Sequence, residues 1–446
     1  MFIGIAINLT GRLLSSASPA SLFANGEPGV WYDPSDLTTL FQDSAGTIPV
    51  TSPSQPVGKM LDKSGRDNHA TQATSTQRPI YGINPITGTR NLLTYTEQFD
   101  NAVWIKGQAT VSANTAIAPD GTTTADTLIE DSTNNYHSIN YTAGTVGAIE
   151  TYSFYAKASG RSWLGVQIGS VFNAYFDISN GVLGTVSSGT ASISSAGNGW
   201  YRCTVTVTRA GNTNNRIFLG SANGTVSYLG NGTSGIYIWG AQLELGSSAT
   251  AYQKVVSQYE VTEAGVQSAS YLAFDGVDDG MVTGTITPGI DKVQVFAGVR
   301  KLSDAAVGTV VEFSPNLNTN SGSLWLAAPV TVGGPNYYFT SKGTIASAGA
   351  SASSLAAPTT NVLTGIGDIS GDVATLRVNG TQASTSSSDQ GTGNFLSYPL
   401  YIGRRAGTSL PYNGRLYSMI VRFGANLTTG QITATESWVN GKTGAY

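Results

Sequence analysis

The sequence predicts an all-β protein built of sandwiches, and three observations predict it. They are a composition suited to turns, segments in which apolar and polar residues alternate with period two, and the close spacing of those segments. Of 446 residues, 11% are charged and 40% hydrophobic, so Gly, Ser, Thr and Asn make up much of the rest. An average soluble protein carries about 25% charged residues. Gly reaches positive φ without strain, and Asn and Ser bond to their own backbone, so this composition favours short strands joined by tight turns. It is poor material for helices, which want Ala, Leu, Glu and Lys. With 7 Trp, 21 Tyr and 14 Phe along the chain, there is enough apolar mass for a packed core, which excludes a disordered polymer.

Taken in order, residues 3–9 alternate: Ile3, Ile5, Ile7 and Leu9 face one way, Gly4, Ala6 and Asn8 the other, as in a strand. That strand either extends its own sheet or docks on an exposed edge of another subunit. No basic residue precedes Arg12, and Asn8 and Gly11 break the apolar stretch, so this region reads as mature structure rather than a signal peptide. Ser18-Pro19 opens a helical turn through Phe23, and Asp33-Pro34 opens another over Ser35 to Phe41. After a turn-rich stretch to about Tyr81, alternating segments follow at Thr151 to Ala158, Trp163 to Ile168, Tyr201 to Thr208 and Gly235 to Leu243. Tyr201 to Thr208 is close to strict period two, the pattern of a half-buried antiparallel strand. A second set comprises Tyr271 to Phe274, Val293 to Val299, Val310 to Phe313, Asn336 to Thr340, Val373 to Val378, Leu400 to Ile402 and Arg415 to Arg422. Val378-Asn379-Gly380 is a hairpin turn. Thr428 to Asn440 reads as the one helix, with a Thr428/Gln431 capping box, a face of Ile432, Thr435 and Val439, and Gly441 as its stop.

Charge and composition exclude several functions. The net charge is −4 and no Lys/Arg cluster forms a phosphate-binding stripe, so nucleic acid is not an expected partner. No run of about 18 apolar residues is present, so no membrane insertion is expected. The lone Cys203 rules out an intrachain disulfide framework. His69 and His137 have no nucleophile elbow near them, and a catalytic zinc wants three ligands at recognisable spacing. Paired carboxylates would suffice for a glycosidase, yet no acidic pair stands out. No catalytic residue is assigned, and the chain reads as a non-enzyme.

Two segments far apart in sequence belong together. Gly29-Val30-Trp31-Tyr32-Asp33-Pro34-Ser35-Asp36, with Asp62-Lys63-Ser64-Gly65-Arg66-Asp67-Asn68-His69-Ala70-Thr71-Gln72, resembles the opening of laminin-G/concanavalin A-like jelly rolls found in many tailed-bacteriophage virion proteins. In that family a segment like Gln77-Arg78-Pro79-Ile80-Tyr81 is followed closely by one like Tyr271-Leu272-Ala273-Phe274-Asp275-Gly276-Val277-Asp278-Asp279. Here nearly two hundred residues with a strand set of their own lie between them. The resemblance therefore implies one jelly-roll sandwich inserted into another. The host is residues 27–88 plus 259–446 and the insert 89–258, with a short C-terminal helix and an N-terminal attachment segment at residues 1–26. The insert is similar to carbohydrate-binding-module-like sandwiches. The residues that carry that likeness are Asn91-Leu92-Leu93, Trp104, Asp120-Gly121, Gly197-Asn198-Gly199-Trp200-Tyr201-Arg202 and Ile238-Trp239-Gly240-Ala241-Gln242-Leu243-Glu244.

Two kinds of site follow. Asp62, Asp67 and Asn68 surround a glycine in one loop, and Asp275, Asp278 and Asp279 crowd another. Such oxygen clusters either hold calcium or form Asx-turn networks, and turn chemistry is the commoner outcome. No other cofactor is expected. Trp163, Tyr175, Trp325, Tyr337 and Tyr338 are the strand aromatics on which a glycan could stack, whereas Trp200 and Trp239 are expected in the core. For each single aromatic, packing is the commoner role. The resemblance implies a virion component, a head fibre or decoration protein or a tail-associated one. Its partners would be capsid or tail proteins reached through residues 1–26, copies of itself (a trimer being common among such appendages) and host-cell glycan. The rival readings are a tail-associated polysaccharide-degrading enzyme and a ligand-free capsid cement protein.

Overall fold

The computed structural model describes residues 18–86 and 90–446. The strand expected over residues 3–9 lies outside them. The fold is all-β: two sandwiches, one inserted in the sequence of the other, and a single C-terminal helix among the described residues. Contacts divide the chain into a host unit, described residues up to Gly82 with Ala269–Tyr446, and an inserted unit, Ile83–Ser268.

The host unit has two facing sheets. One runs in the order Leu40–Phe41, Lys59–Met60, Ala70–Thr71, Met281–Ile286, Tyr398–Ile402, Thr309–Phe313, Ser323–Ala327, Tyr337–Lys342, Ser347–Ala352. The other includes Ser268–Asp275, Asn413–Phe423, Lys292–Lys301, Thr359–Asp368, Val373–Val378 and Thr381–Ser386, with Gly29–Tyr32 also paired to Asn413–Phe423. Asn379 (φ 50°) and Gly380 (φ 77°) form the left-handed hairpin turn that the sequence predicts, and it joins two of these strands.

The helix spans Thr429–Thr443 and carries the predicted capping box, but it runs past Gly441. It stops at Gly444, in the left-handed conformation (φ 63°), whose N–H closes on Asn440 O. Val439, Ile432 and Trp438 lay the helix on Phe296, Val362 and Ile420, and Leu22, Phe23 and Trp31 complete this layer. Pro19–Phe23 is a 3-10 turn capped by Ser18, as its sequence predicts. The turn expected over Ser35 to Phe41 shrinks to Leu37–Thr39 and is capped by Asp36 rather than opened by Asp33. Its last two residues leave the turn because Leu40–Phe41 pair with Lys59–Met60.

The inserted unit is a sandwich of two six-stranded antiparallel sheets. The first runs Val182–Val186, Val171–Asp177, Trp163–Ile168, Asn214–Gly220, Ser138–Thr142, Ile105–Gly107. The second runs Thr190–Gly197, Trp200–Thr208, Ile149–Ser159, Gly235–Leu245, Ala125–Glu130, Ala109–Ala116. Period two sets the layers: Leu164, Val166, Ile168, Ile217 and Leu219 point inward from the first, Tyr152, Phe154, Cys203, Val205 and Leu243 from the second. Trp200 and Trp239 are buried with Ala118 and Ala125 in a satellite cluster, consistent with core roles.

Candidate functional site

Once Leu164, Val166 and Ile168 face the core, Trp163, Gly165 and Gln167 must face outward. The cross-strand register then builds that outer face row by row. Tyr175 and Phe218 flank Gly165, and Phe172 and Arg216 flank Gln167, with Asn140 beyond Arg216. Gly165 is needed for close approach: a Cβ there would lie 2.9 Å from Val226 Cγ1 and 3.1 Å from a Tyr175 ring carbon.

Val226 therefore seats over the middle of the sheet, and Tyr175, Phe218 and Val226 become a small buried cluster rimmed by Trp163 and Phe172. Phe172 lies nearly parallel to Tyr175 (6.1 Å, 11°), and Tyr136 stacks on Phe172 in turn (6.3 Å, 29°). Tyr136 is 45% exposed, so this slab of rings runs from the covered centre out to solvent. At its edge Arg216 Nη1 donates to Gln167 Oε1 at 3.3 Å. The loop that carries Val226 is tied down by Glu130. Glu130 takes a bidentate Arg161 (2.6 and 2.7 Å), the Tyr228 hydroxyl and the Asn231 N–H.

Of the five aromatics singled out from sequence, Trp163 and Tyr175 thus come together, Trp163 half-buried at the rim and Tyr175 buried beneath it. The other three lie in the host unit. Tyr337 cannot stack on a sugar as placed: it is wholly buried, its hydroxyl accepts from Asn361 Nδ2 at 3.0 Å, and Lys301 lies over its ring. Trp325 is buried too, with the Arg405 guanidinium 4.6 Å above its ring and its indole N–H on Thr309 Oγ1. Tyr338 is half-buried against Trp325. Tyr136, Phe172, Gln167 and Arg216 were not singled out from sequence. Parity could have found Gln167 and Arg216, which alternate with core residues Val166, Ile168 and Ile217, but not Phe172, which a bulge brings onto the face of Tyr175 three residues on.

The oxygen-rich loops differ. Asp62 Oδ1 accepts from the N–H groups of Trp31 and Ser64, and Oδ2 from the Ser64 hydroxyl and the Asn68 N–H. These four donors make it the hub of a turn network. Asp67 is exposed at φ 56°, and the Asn68 amide donates to Gly29 O. His69 Nδ1 accepts the Asp62 N–H at 3.1 Å, and His137 is buried between the Gln108 and Tyr228 carbonyls. Both histidines are structural here.

Asp275, Asp278 and Asp279 do converge, each offering one oxygen within 4.8 Å of the others. Asp275 Oδ1 nevertheless already accepts the Val277 and Asp278 N–H groups, and calcium wants six to eight oxygens. Burial, reinforced by the charges of Asp275 and Asp278, pushes the Asp279 carboxyl up to about 7. Between the ordinary carboxylate range and that value the folded protein holds a proton that the unfolded chain has released. Stability contributed by this group therefore falls as pH rises through that window and levels off above it. Asp279→Asn is expected to flatten this fall and to raise the melting temperature at pH 8 above wild type. Thermal melts from about pH 5 to about pH 8 check it, and parallel slopes for the two proteins would contradict it. Added calcium that raised the wild-type melt at pH 8 but not that of the variant is what a metal at this loop requires.

No family model matches the chain, and no curated protein matches it. Solved structures do resemble it. The carbohydrate-binding module, CBM40, of the Ruminococcus gnavus IT-sialidase bound to α2,3 sialyllactose aligns at 14% identity and a TM-score of 0.27, over 33% of this chain and 84% of that one. The botulinum neurotoxin serotype D binding domain aligns at 12% identity and a TM-score of 0.30, over 38% of this chain and 42% of that one. The type G receptor-binding domain aligns at 10% identity and a TM-score of 0.29.

Proposed function

We propose that this chain is a non-enzymatic adhesion component of a tailed-bacteriophage particle, in which the inserted sandwich contacts host glycan through the outer face of its first sheet. One observation carries the glycan reading. The slab of Tyr136, Phe172 and Tyr175, rimmed by Trp163, opens beside Gln167 and Arg216. Aromatic faces take the apolar face of a sugar ring, and an amide and a guanidinium next to them fix its hydroxyls. Phe172→Ala is expected to weaken binding of the best ligand on a glycan array by about tenfold, the loss of one stacking contact and part of its desolvated surface. Unchanged binding by a folded variant would remove this face from consideration.

The virion reading rests on the jelly-roll resemblance of the host segments around Trp31, Asp62 and Asp275. Attachment through residues 1–26 to capsid or tail, a symmetric oligomer, and calcium in the Asp275 loop belong to this same proposal. Its test is gold-labelled antibody against the chain on intact particles and on dissociated ones. Label over the head supports a fibre or decoration role, and label on the tail supports receptor contact. Absence of the chain from both preparations rejects a virion role.

A further inference from the structure

The second sheet of the inserted unit carries a site of different chemistry. With Cys203, Val205 and Val207 in the core, Arg202, Thr204 and Thr206 face outward, and the edge strand sets Ser194, Ser192 and Thr190 opposite them. A groove of about 360 Å³ runs along this ladder, walled on one side by residues 247–249. Its lining bears no aromatic ring. Thr206 is engaged with Thr151 (Oγ to Oγ, 2.9 Å), but the hydroxyls of Thr190, Ser192, Ser194 and Thr204 make no hydrogen bond within the described residues.

At the end of the ladder stands a cation without a carboxylate partner among the described residues. Arg161, Arg209, Arg377, Arg405 and Arg422 each pair with a Glu. Arg202 instead lies 5.6 Å over the Tyr155 ring and donates Nη2–H to Ser153 Oγ at 3.0 Å. Among the described residues its Nε is buried without an acceptor and Nη1 has no partner. A guanidinium so held is pre-ordered for an anion, and a charge-assisted bond to it is about twice as strong as a neutral one. The three rows of hydroxyls extend over roughly 14 Å, two strand residues per row. That length suits a short polyhydroxylated chain better than a free ion. With a net charge of −4, the chain has no diffuse attraction for polyanions, so recognition here must be local.

We infer that this groove binds an acidic glycan, with Arg202 holding its carboxylate or sulfate and the Ser/Thr ladder its hydroxyls. The site does not depend on the aromatic face. Calorimetry on the full chain with trigalacturonate, its fully methyl-esterified form and a sulfated heparin tetrasaccharide tests it and tells the two anion sources apart. At least one acidic probe is expected to bind, and the neutral ester is not. Arg202→Gln is expected to weaken binding by about tenfold or more. Phe172→Ala, on the other sheet, is expected to leave it unchanged. Thr204→Val, which leaves Arg202 in place, should weaken binding even if Arg202→Gln proves unstable. The inference is overturned if neither acidic probe binds at about 10 mM. Equal binding of the methyl ester, or wild-type affinity in a folded Arg202→Gln protein, would overturn it as well.

Discussion

Arg209→Met is expected to destabilise the inserted unit by about 3–5 kcal/mol, the usual result of leaving one partner of a buried ion pair uncompensated. Arg209 and Glu150 are wholly buried side chains in contact through Nε and Oε2 at 2.5 Å. The guanidinium also donates to Asn215 Oδ1 and to the carbonyls of Asn212 and Asn214. Glu150 Oε1 accepts the Thr145 N–H, so the pair pins two loops to one end of the sandwich. Removing Arg209 strands a buried carboxylate and leaves the buried Asn215 Oδ1 without its donor. Glu150→Gln is expected to cost a similar amount, since a Gln oxygen that accepts from Thr145 turns its NH2 toward the Arg209 Nε–H and leaves the buried guanidinium without its counter-charge. The double variant Arg209→Met/Glu150→Met should recover part of the loss, because no buried charge is then left unpaired. Urea unfolding of these three variants and of Glu150→Met measures this. A double variant as unstable as the sum of two single Met changes would show that packing, not charge, dominates there.

The fold was legible where side chains are large and alternate. Trp163–Ile168 and Val373–Val378 begin and end where their patterns predict, because each sets three apolar residues on one face. Two of the strands that escaped notice lack that contrast. Ser347–Ala352 reads Ser-Ala-Gly-Ala-Ser-Ala and Thr190–Gly197 is mostly Ser, Thr and Ala, so neighbours impose their pairing through backbone bonds. The same blindness hid the Arg202 groove, which lies along one of those strands. Asp62 is ambiguous in sequence for a related reason: alternate oxygens around a glycine suit a metal and a turn equally. The structure gives its carboxylate four donors from its own chain. Tyr337 and Tyr338 are adjacent in sequence, so one of them had to face inward. Sequence gave no sign of which, and the structure buries Tyr337.

Arg422→Ala is expected to loosen the host unit where its N-terminal segment meets the sheet, by about 1–3 kcal/mol, the cost of leaving buried acceptors unpaired. Arg422 sits on the strand Asn413–Phe423 and is almost fully buried. It donates to Leu22 O at 2.7 Å, Gln294 Oε1 and Ala425 O at 2.8 Å, and Glu27 Oε1 at 2.9 Å. Two of these acceptors belong to the segment that ends the proposed attachment region. Leu22 and Phe23 pack in the same layer, and Arg66 adds a second clasp on Phe23 O. Truncation to Ala leaves the half-buried Glu27 without its cation and frees the Leu22 carbonyl, so residues 18–28 lose one of the clasps that hold them. Amide hydrogen exchange is expected to accelerate over Pro19–Tyr32 while the inserted sandwich keeps its wild-type rates. Arg66→Ala, which removes a clasp of two carbonyl bonds and no ion pair, should give the same pattern more weakly. If residues 1–26 anchor the particle, Arg422→Ala chains should also be under-represented in purified virions relative to wild type. Wild-type exchange over residues 19–32 in the Arg422→Ala protein would mean that apolar packing of Leu22 and Phe23 suffices to hold the segment.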